Sequence, residues 1–343
     1  MTLRLDRLES FLRALPDLTI GLVGDLFLDR YLELEAGVFE RSLETGLEAY
    51  QVARVRNCPG ALGTVLNNLA ALGAGRLRPV TVLGDDGHGY DLRRALQHLP
   101  VDLEMVLMDP QRLTPTYTKP LRTTEPGHCE ELNRLDVRTR GPLSRQMTTR
   151  VCEALREVFA ACAGVIVLDQ VHERDWGVVN EQVRGFLGEL ARNDPGRLVF
   201  IDSRACLREF HFGVLKGNRR EILEAGAVSD DRPAAVEEAA ALLARRTGRP
   251  VFCTLGEEGM LVAKPAEAAQ RIPGYAVSGP VDIVGAGDAA SSGIVVSLLA
   301  GASVEEAAAV GNLAASITVQ QLGTTGTASP AQMLARWHEA YGA

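Results

Sequence analysis

Short apolar, β-branched runs ending in Gly or Asp recur along this chain, most of them separated by helical patterns. No other feature restricts the fold as much. LTIGLVGD (18–25), PVTVLGDD (79–86), GVIVLDQ (164–170), LVFID (198–202) and PVFCTLG (250–256) are apolar nearly throughout, as strands covered on both faces are. Apolar residues at helical spacing fill 143–162 and 177–193. The pattern predicts stacked βα units: a three-layer α/β/α core around a mostly parallel central sheet. Ligands of such sheets bind outside the carboxyl ends of the strands. Asp25, Asp169 and Asp202, each at the end of a run, are therefore placed on the ligand side.

Two segments break the rhythm. Residues 30–57 and 114–137 alternate polar and apolar positions between turn residues, a pattern that suits exposed antiparallel strands. They are expected to form a small projecting β lid and, through it, a dimer contact. The α/β core then takes residues 1–29, 58–113 and 138–343. An amphipathic helix is expected over 4–15, and helices near 286–300, 303–320 and 330–341 close the chain.

Composition excludes several classes of function. Lys plus Arg is 36 against 44 for Asp plus Glu, a net charge of −8, so no surplus of cations is available to displace phosphate counterions from nucleic acid. Small molecules are the expected partners. No apolar run reaches the ~18 residues of a membrane span, and the first residues alternate charge with Leu, so a cytoplasmic protein is expected. The six cysteines contain no C-x-x-C pair and read as buried thiols. No H-E-x-x-H, G-x-x-x-x-G-K-[ST] or G-x-S-x-G occurs, which removes the zinc protease, P-loop and hydrolase readings.

The sharpest local signal is PVDIVGAGDAASSGIVVSLLAG (280–301). A Gly-Ala-Gly turn opening an apolar helix aims free backbone N–H groups at one spot, where the helix dipole is positive. Gly285, Ala286 and Gly287 thus form an anion hole, with Asp288 in the helix's first turn beside it. A carboxylate there opposes anion binding, but it makes sense as a base that takes a proton from an attacking hydroxyl while the N–H groups stabilise a migrating phosphoryl group. GAGDAA also fits the dinucleotide fingerprint, whose following strand and acidic residue are replaced here by two helices. A purely structural glycine turn is the other alternative.

These residues resemble the C-terminal signature of the ribokinase-like (PfkB) carbohydrate kinases, whose other features follow in order over nearly the whole chain. VGDLFLD (23–29) resembles the opening strand, and the likeness assigns Asp25 to sugar hydroxyls, with Asp29 beside it. CPGALGTVLNNLAALGA (58–74) resembles the Gly-Gly motif, with Gly60, Ala61 and Thr64 on the sugar side. LKGNRREI (215–222) resembles the K-P-N-x-x-E element, which implies nucleotide and magnesium-water contacts for Asn218 and Glu221. TLGEEGM (254–260) resembles the segment beside the nucleotide phosphates, bringing in Thr254, Gly256 and Gly259, and Asn312 falls at the adenine pocket. TPTYTKPLR (114–122) with NRLD (133–136) is similar to the lid strands of bacterial heptose-phosphate kinases. Ala61, Thr64, Gly217, Ile283 and Ala290 depart from the family pattern.

The resemblance implies transfer of the γ-phosphoryl group of ATP to a hydroxyl of a sugar or sugar phosphate, with Mg²⁺ held through water. A potassium ion beside Asp282 is also implied. Plainer roles stand beside these: Asp25, Asp29, Asp169 and Asp202 suit helix or turn capping, and Lys119 suits an exposed edge strand rather than a substrate phosphate. Asn312 suits capping or packing, and Thr254 a β-branched strand position. The alternatives in function are a degenerate kinase that binds sugar or nucleotide without turnover, and a dinucleotide-dependent oxidoreductase.

Overall fold

The computed structural model describes residues 3–125, 128–229, 232–323 and 325–342. A nine-stranded sheet forms the centre, with strands β1 (Thr19–Gly24), β6 (Arg76–Gly84), β7 (Val106–Asp109), β11 (Gly164–Asp169), β12 (Leu198–Ser203), β13 (Val214–Asn218), β14 (Val251–Thr254), β15 (Met260–Ala263) and β16 (Gln270–Ile272). Their order is β16-β15-β14-β13-β12-β11-β1-β6-β7. All pairs are parallel except the two that involve β15. The five runs identified in the sequence all lie in this sheet. β7, β13, β15 and β16 are not among them; β13 is only five residues long and holds a Lys, a Gly and an Asn, so its apolar signal is weak.

Among the described residues ten α-helices accompany the strands: α1 (Leu5–Ala14), α2 (Leu62–Leu72), α3 (Gly87–Leu96), α4 (Arg145–Ala161), α5 (Glu181–Asn193), α6 (Arg219–Ala225), α7 (Pro233–Thr247), α8 (Ala286–Leu299), α9 (Val304–Thr318) and α10 (Pro330–Tyr341). Two apolar clusters, one on each face of the sheet, make the three layers. One gathers α1, α2, α8, α9 and α10 residues, such as Leu8, Leu66, Ile294, Leu313 and Trp337. The other gathers α4, α5, α6 and α7 residues, such as Leu155, Leu187, Ile222 and Leu243. α5 begins at Glu181, after an Asn180 cap that accepts from the Val183 N–H, and not at 177 as its apolar spacing suggested. The three buried residues before it are loop.

A second, five-stranded sheet contains β2 (Leu26–Leu34), β5 (Val52–Ala61), β8 (Thr116–Glu125), β9 (His128–Glu131) and β10 (Leu135–Val137). A short hairpin, β3 (Glu40–Arg41) with β4 (Glu48–Ala49), extends from it. The sequence boundaries at 29/30 and 57/58 fall inside strands. β2 starts one residue after β1 ends, with Asp25 alone between them, and β5 runs into α2 without a linker. Both strands meet the core without an intervening loop.

Candidate active site

The start of α8 is the centre of the site. Gly285 caps it with φ of 82°, a left-handed conformation that glycine adopts at little cost. The helix is almost wholly buried and built from small residues, because it packs closely on α9: a methyl on Gly293 would lie 3.1 Å from the Gly311 Cα. Asp288, in the first turn, is half-buried. Withdrawal from water, reinforced by the Asp202 carboxylate and opposed by Lys216 and Arg204, pushes its pKa up to about 7. A carboxyl poised there is suited to proton exchange near neutrality.

Lys216 approaches the same spot from the sheet. Its Nζ donates to Asp202 Oδ2 at 2.7 Å, and Ser291 on α8 donates to the same oxygen at 3.0 Å. A methyl added to Gly287 would lie 3.2 Å from that ammonium, so the cation stands at the mouth of the Gly-Ala-Gly turn. Burial works against its charge, but Asp202 outweighs it and the pKa of Lys216 is raised. The sequence reading quoted Lys216 within its motif without giving it a role. Two residues further on, Asn218 and Glu221 form a reciprocal capping box on α6: Glu221 N–H donates to Asn218 Oδ1 at 3.0 Å, and Asn218 N–H to Glu221 Oε2 at 2.8 Å. Burial is the main cause raising the Glu221 pKa.

Asn218 lies beside Thr254 at the carboxyl ends of two parallel strands. Together with Gly256, Arg219 and Arg220 they line a cleft of about 610 Å³. Gly256 (φ 63°) opens a short 3-10 turn there, and Gly259 (φ 94°) lets the backbone approach Ile272 and Gly274 too closely for any side chain. Asn312 is buried, and its amide donates to the Ile272 and Pro273 carbonyls, each at 3.1 Å. It braces α9 to the end of β16. Asp282 accepts from the Val284 and Gly323 N–H groups at 3.0 and 3.2 Å, so both carboxylate oxygens already hold the loop before α8.

On the acceptor side, the two aspartates after β1 differ from what the sequence suggested. Asp25 is only 3% exposed. One oxygen accepts from the Val178 N–H at 2.9 Å, the Arg112 guanidinium stands 4.0 Å away, and the other oxygen abuts Gly177. Burial raises its pKa to about 6, against Arg112 and the Val178 bond. Asp25 is therefore a sealed strut and not a sugar-facing group, because the loop before α5 closes over it. Asp29 instead lies open to the small sheet: Lys119 pairs with it at 3.0 Å, and a methyl on Gly60 would meet its Oδ2 at 2.3 Å. Lys119 also lies over the Tyr31 ring. Ala61, before α2, has φ 53° and ψ −115°, a conformation natural only to glycine. Thr64 is buried, with its methyl 3.6 Å from the point a Gly285 side chain would occupy. Asp169 is buried, accepts from Ser203 Oγ at 2.7 Å, and has its pKa raised by burial to about 7.

The structure thus gathers two groups of side chains: Asp288, Lys216 and Asp202 around the Gly-Ala-Gly turn, and Asp29, Lys119, Gly60 and Tyr31 on the small sheet. Thr64 and Gly285 are the point where the two groups meet.

Residues 202–332 match the model of the pfkB family carbohydrate kinases. A bifunctional protein HldE of Desulfatibacillum aliphaticivorans is 30% identical over 305 residues, covering 88% of this chain and 60% of the relative. Another, from Geotalea uraniireducens (strain Rf4), is 31% identical over 332 residues, covering 96% and 64%. The chain spans a little over three-fifths of the length of these relatives. Among solved structures, an Arabidopsis thaliana ribokinase complexed with ribose and ATP superposes with a TM-score of 0.66 at 20% identity, covering 93% of this chain and 98% of that one. Phosphofructokinase-2 from Escherichia coli, in complex with substrates and products, gives 0.69 at 16% identity, covering 94% and 99%. The fold is ribokinase-like.

Proposed function

We propose that this chain, whose residues 202–332 match the model of the pfkB family carbohydrate kinases, transfers the γ-phosphoryl group of ATP to a hydroxyl of a sugar or sugar phosphate. The observation that carries this reading is the meeting of Asp288, Lys216 and the Gly285–Gly287 backbone at one point. Asp288 takes the proton of the attacking hydroxyl. The Gly287 N–H and the Lys216 ammonium stabilise the charge that gathers on the migrating phosphoryl oxygens; the Ala286 N–H, expected to join them, is taken up by the Ile283 carbonyl at 3.2 Å. The nucleotide lies along the cleft lined by Asn218, Thr254 and Gly256.

Among the described residues, no three His, Cys, Asp or Glu side chains gather to ligate an ion directly. A magnesium ion arriving with the nucleotide would keep most of its waters, and the Glu221 carboxylate would accept from one of them. Bound there, the ion neutralises phosphate charge. Asp29 and Lys119 hold the acceptor from the small sheet, and Lys119 suits a phosphate on it. A potassium ion beside Asp282 would rely on neighbouring carbonyls, since its carboxylate is already engaged. Phe39 and Leu43 are 81% and 104% exposed on the hairpin. Two such side chains favour coverage by a second copy of the chain.

Incubation with labelled ATP and a panel of sugars and sugar phosphates tests the reading. A phosphorylated product with at least one acceptor is expected. Saturable ATP binding with no product from any acceptor overturns it in favour of a non-catalytic binding protein, which the glycine-like backbone of Ala61 in the acceptor region would suit.

A further inference from the structure

We propose that the amino-terminal end of the central sheet carries a second binding site, for a small phosphorylated ligand, on the opposite edge from the Asp288 cluster. A cavity of about 530 Å³ opens there, with the first residues of β12 and β13 (Leu198, Val199 and Val214) in its lining. Leu198 is four residues before Asp202, about 13 Å along the strand at ~3.3 Å per residue. The site is separate from the nucleotide cleft and does not rest on the proposed kinase activity.

The charge of the lining is the reason for the assignment. Arg192, Arg197, Arg249 and His211 line the cavity, and among the described residues no acidic side chain does, in a chain whose net charge is −8. Two of these cations are fixed. Arg197 donates to Asp194 at 2.8 Å and to the Phe159 and Cys162 carbonyls, and Arg249 donates to the Pro195 carbonyl. Arg192 and His211 are exposed and make no hydrogen bond or ion pair among the described residues. Their donors are available to a ligand. Beside Arg192 the Phe212 ring packs on Gly188, where an added methyl would lie 3.1 Å from the ring and 3.4 Å from the Arg192 Nη1.

Pinned arginines, a free arginine, a free imidazole and an aromatic wall in one cavity match a phosphate ester on a small organic body. Guanidinium groups fork onto phosphate oxygens, and the ring face takes the apolar part. Arg192 also sits in the last turn of α5, where a cation complements the helix dipole. That accounts for Arg192 alone and leaves the cavity and His211 unexplained.

Titration of the full chain with inorganic pyrophosphate, against sodium chloride at matched ionic strength, tests the site. Saturable binding is expected, weakened tenfold or more in Arg192→Gln/His211→Gln and restored in Arg192→Lys/His211→Lys. Both positions are exposed and unpartnered, so neither variant should alter folding. In the unmodified protein, the His211 ring resonance should shift on saturation while that of His88 stays in place. Absence of saturable binding, a loss of less than tenfold in the glutamine variant, or an unmoved His211 resonance overturns the proposal.

Discussion

Lys216 and Asp202 stand opposite each other on adjacent parallel strands and close a 2.7 Å ion pair beneath the first turn of α8. The pair is buried. It fixes the ammonium in front of Gly287, and it also places a carboxylate near enough to Asp288 to hold that group's proton affinity up. Burial remains the larger cause of that elevation, and the Lys216 ammonium of the same pair works against it.

Replacing Asp288 by Asn should lower kcat by about a hundredfold or more and leave ATP affinity nearly unchanged, because the base acts in the transition state and not on the ground-state nucleotide. In the unmodified protein, kcat should rise with pH and level off above about 7, as the Asp288 carboxyl loses its proton. Steady-state rates from pH 5 to 9 and ATP titration of the variant check both. Undiminished turnover in the variant would remove Asp288 from the mechanism.

Lys216→Met should destabilise the fold by about 3 kcal/mol or more, since Asp202 would be left buried without its partner. Adding Asp202→Asn should recover much of that loss but not the turnover. Denaturant melts and rates on the two variants separate the structural from the chemical role of the lysine.

Ala61→Gly should stabilise the protein by about 1 kcal/mol, because the backbone at this position is one that a Cβ disfavours. A glycine there loses more chain entropy on folding, which offsets part of the gain. A rise in denaturation midpoint is the expected result, and a fall would mean that the Ala61 methyl makes compensating contacts.

Stability should fall as pH rises from about 4 to about 7. Asp169 has its folded pKa raised to about 7, so the folded state holds a proton that the unfolded chain releases near its ordinary value of 3.8. The contribution is fully present below the lower value and is lost through the window between them. Complete ionisation of this one buried group is worth roughly 4 kcal/mol. Thermal melts across the range check the slope, and Asp169→Asn should flatten it.

The parts of this molecule legible in the sequence are those where one residue pattern answers one physical demand. Buried parallel strands need continuous apolar runs, so β1, β11 and β12 stand out. A left-handed turn into a closely packed helix needs glycines, so the start of α8 does as well. β13 does not, because its Lys216 and Asn218 serve the site, and these polar residues hide the strand. Asp25 and Asp29 illustrate a different limit. Both are aspartates following an apolar strand, and only the loop that lays the Val178 amide on Asp25 distinguishes a sealed carboxylate from an open one. That loop is 153 residues away in sequence. Asn218 and Glu221 were read for their chemistry, yet their spacing of three is also that of a capping box, and in the structure each makes the other's cap.

The single residue between β1 and β2 has a mechanical consequence. Asp25 is the only joint between the centre of the large sheet and the strand that carries Asp29, and it is clamped by Val178 and Arg112. Where β5 meets α2 there is no joint at all. A rotation of the small sheet toward the nucleotide cleft would thus be transmitted without slack to the head of α2, and through Thr64 to the turn that precedes Asp288. Acceptor capture and alignment of the reacting groups would then be parts of one displacement.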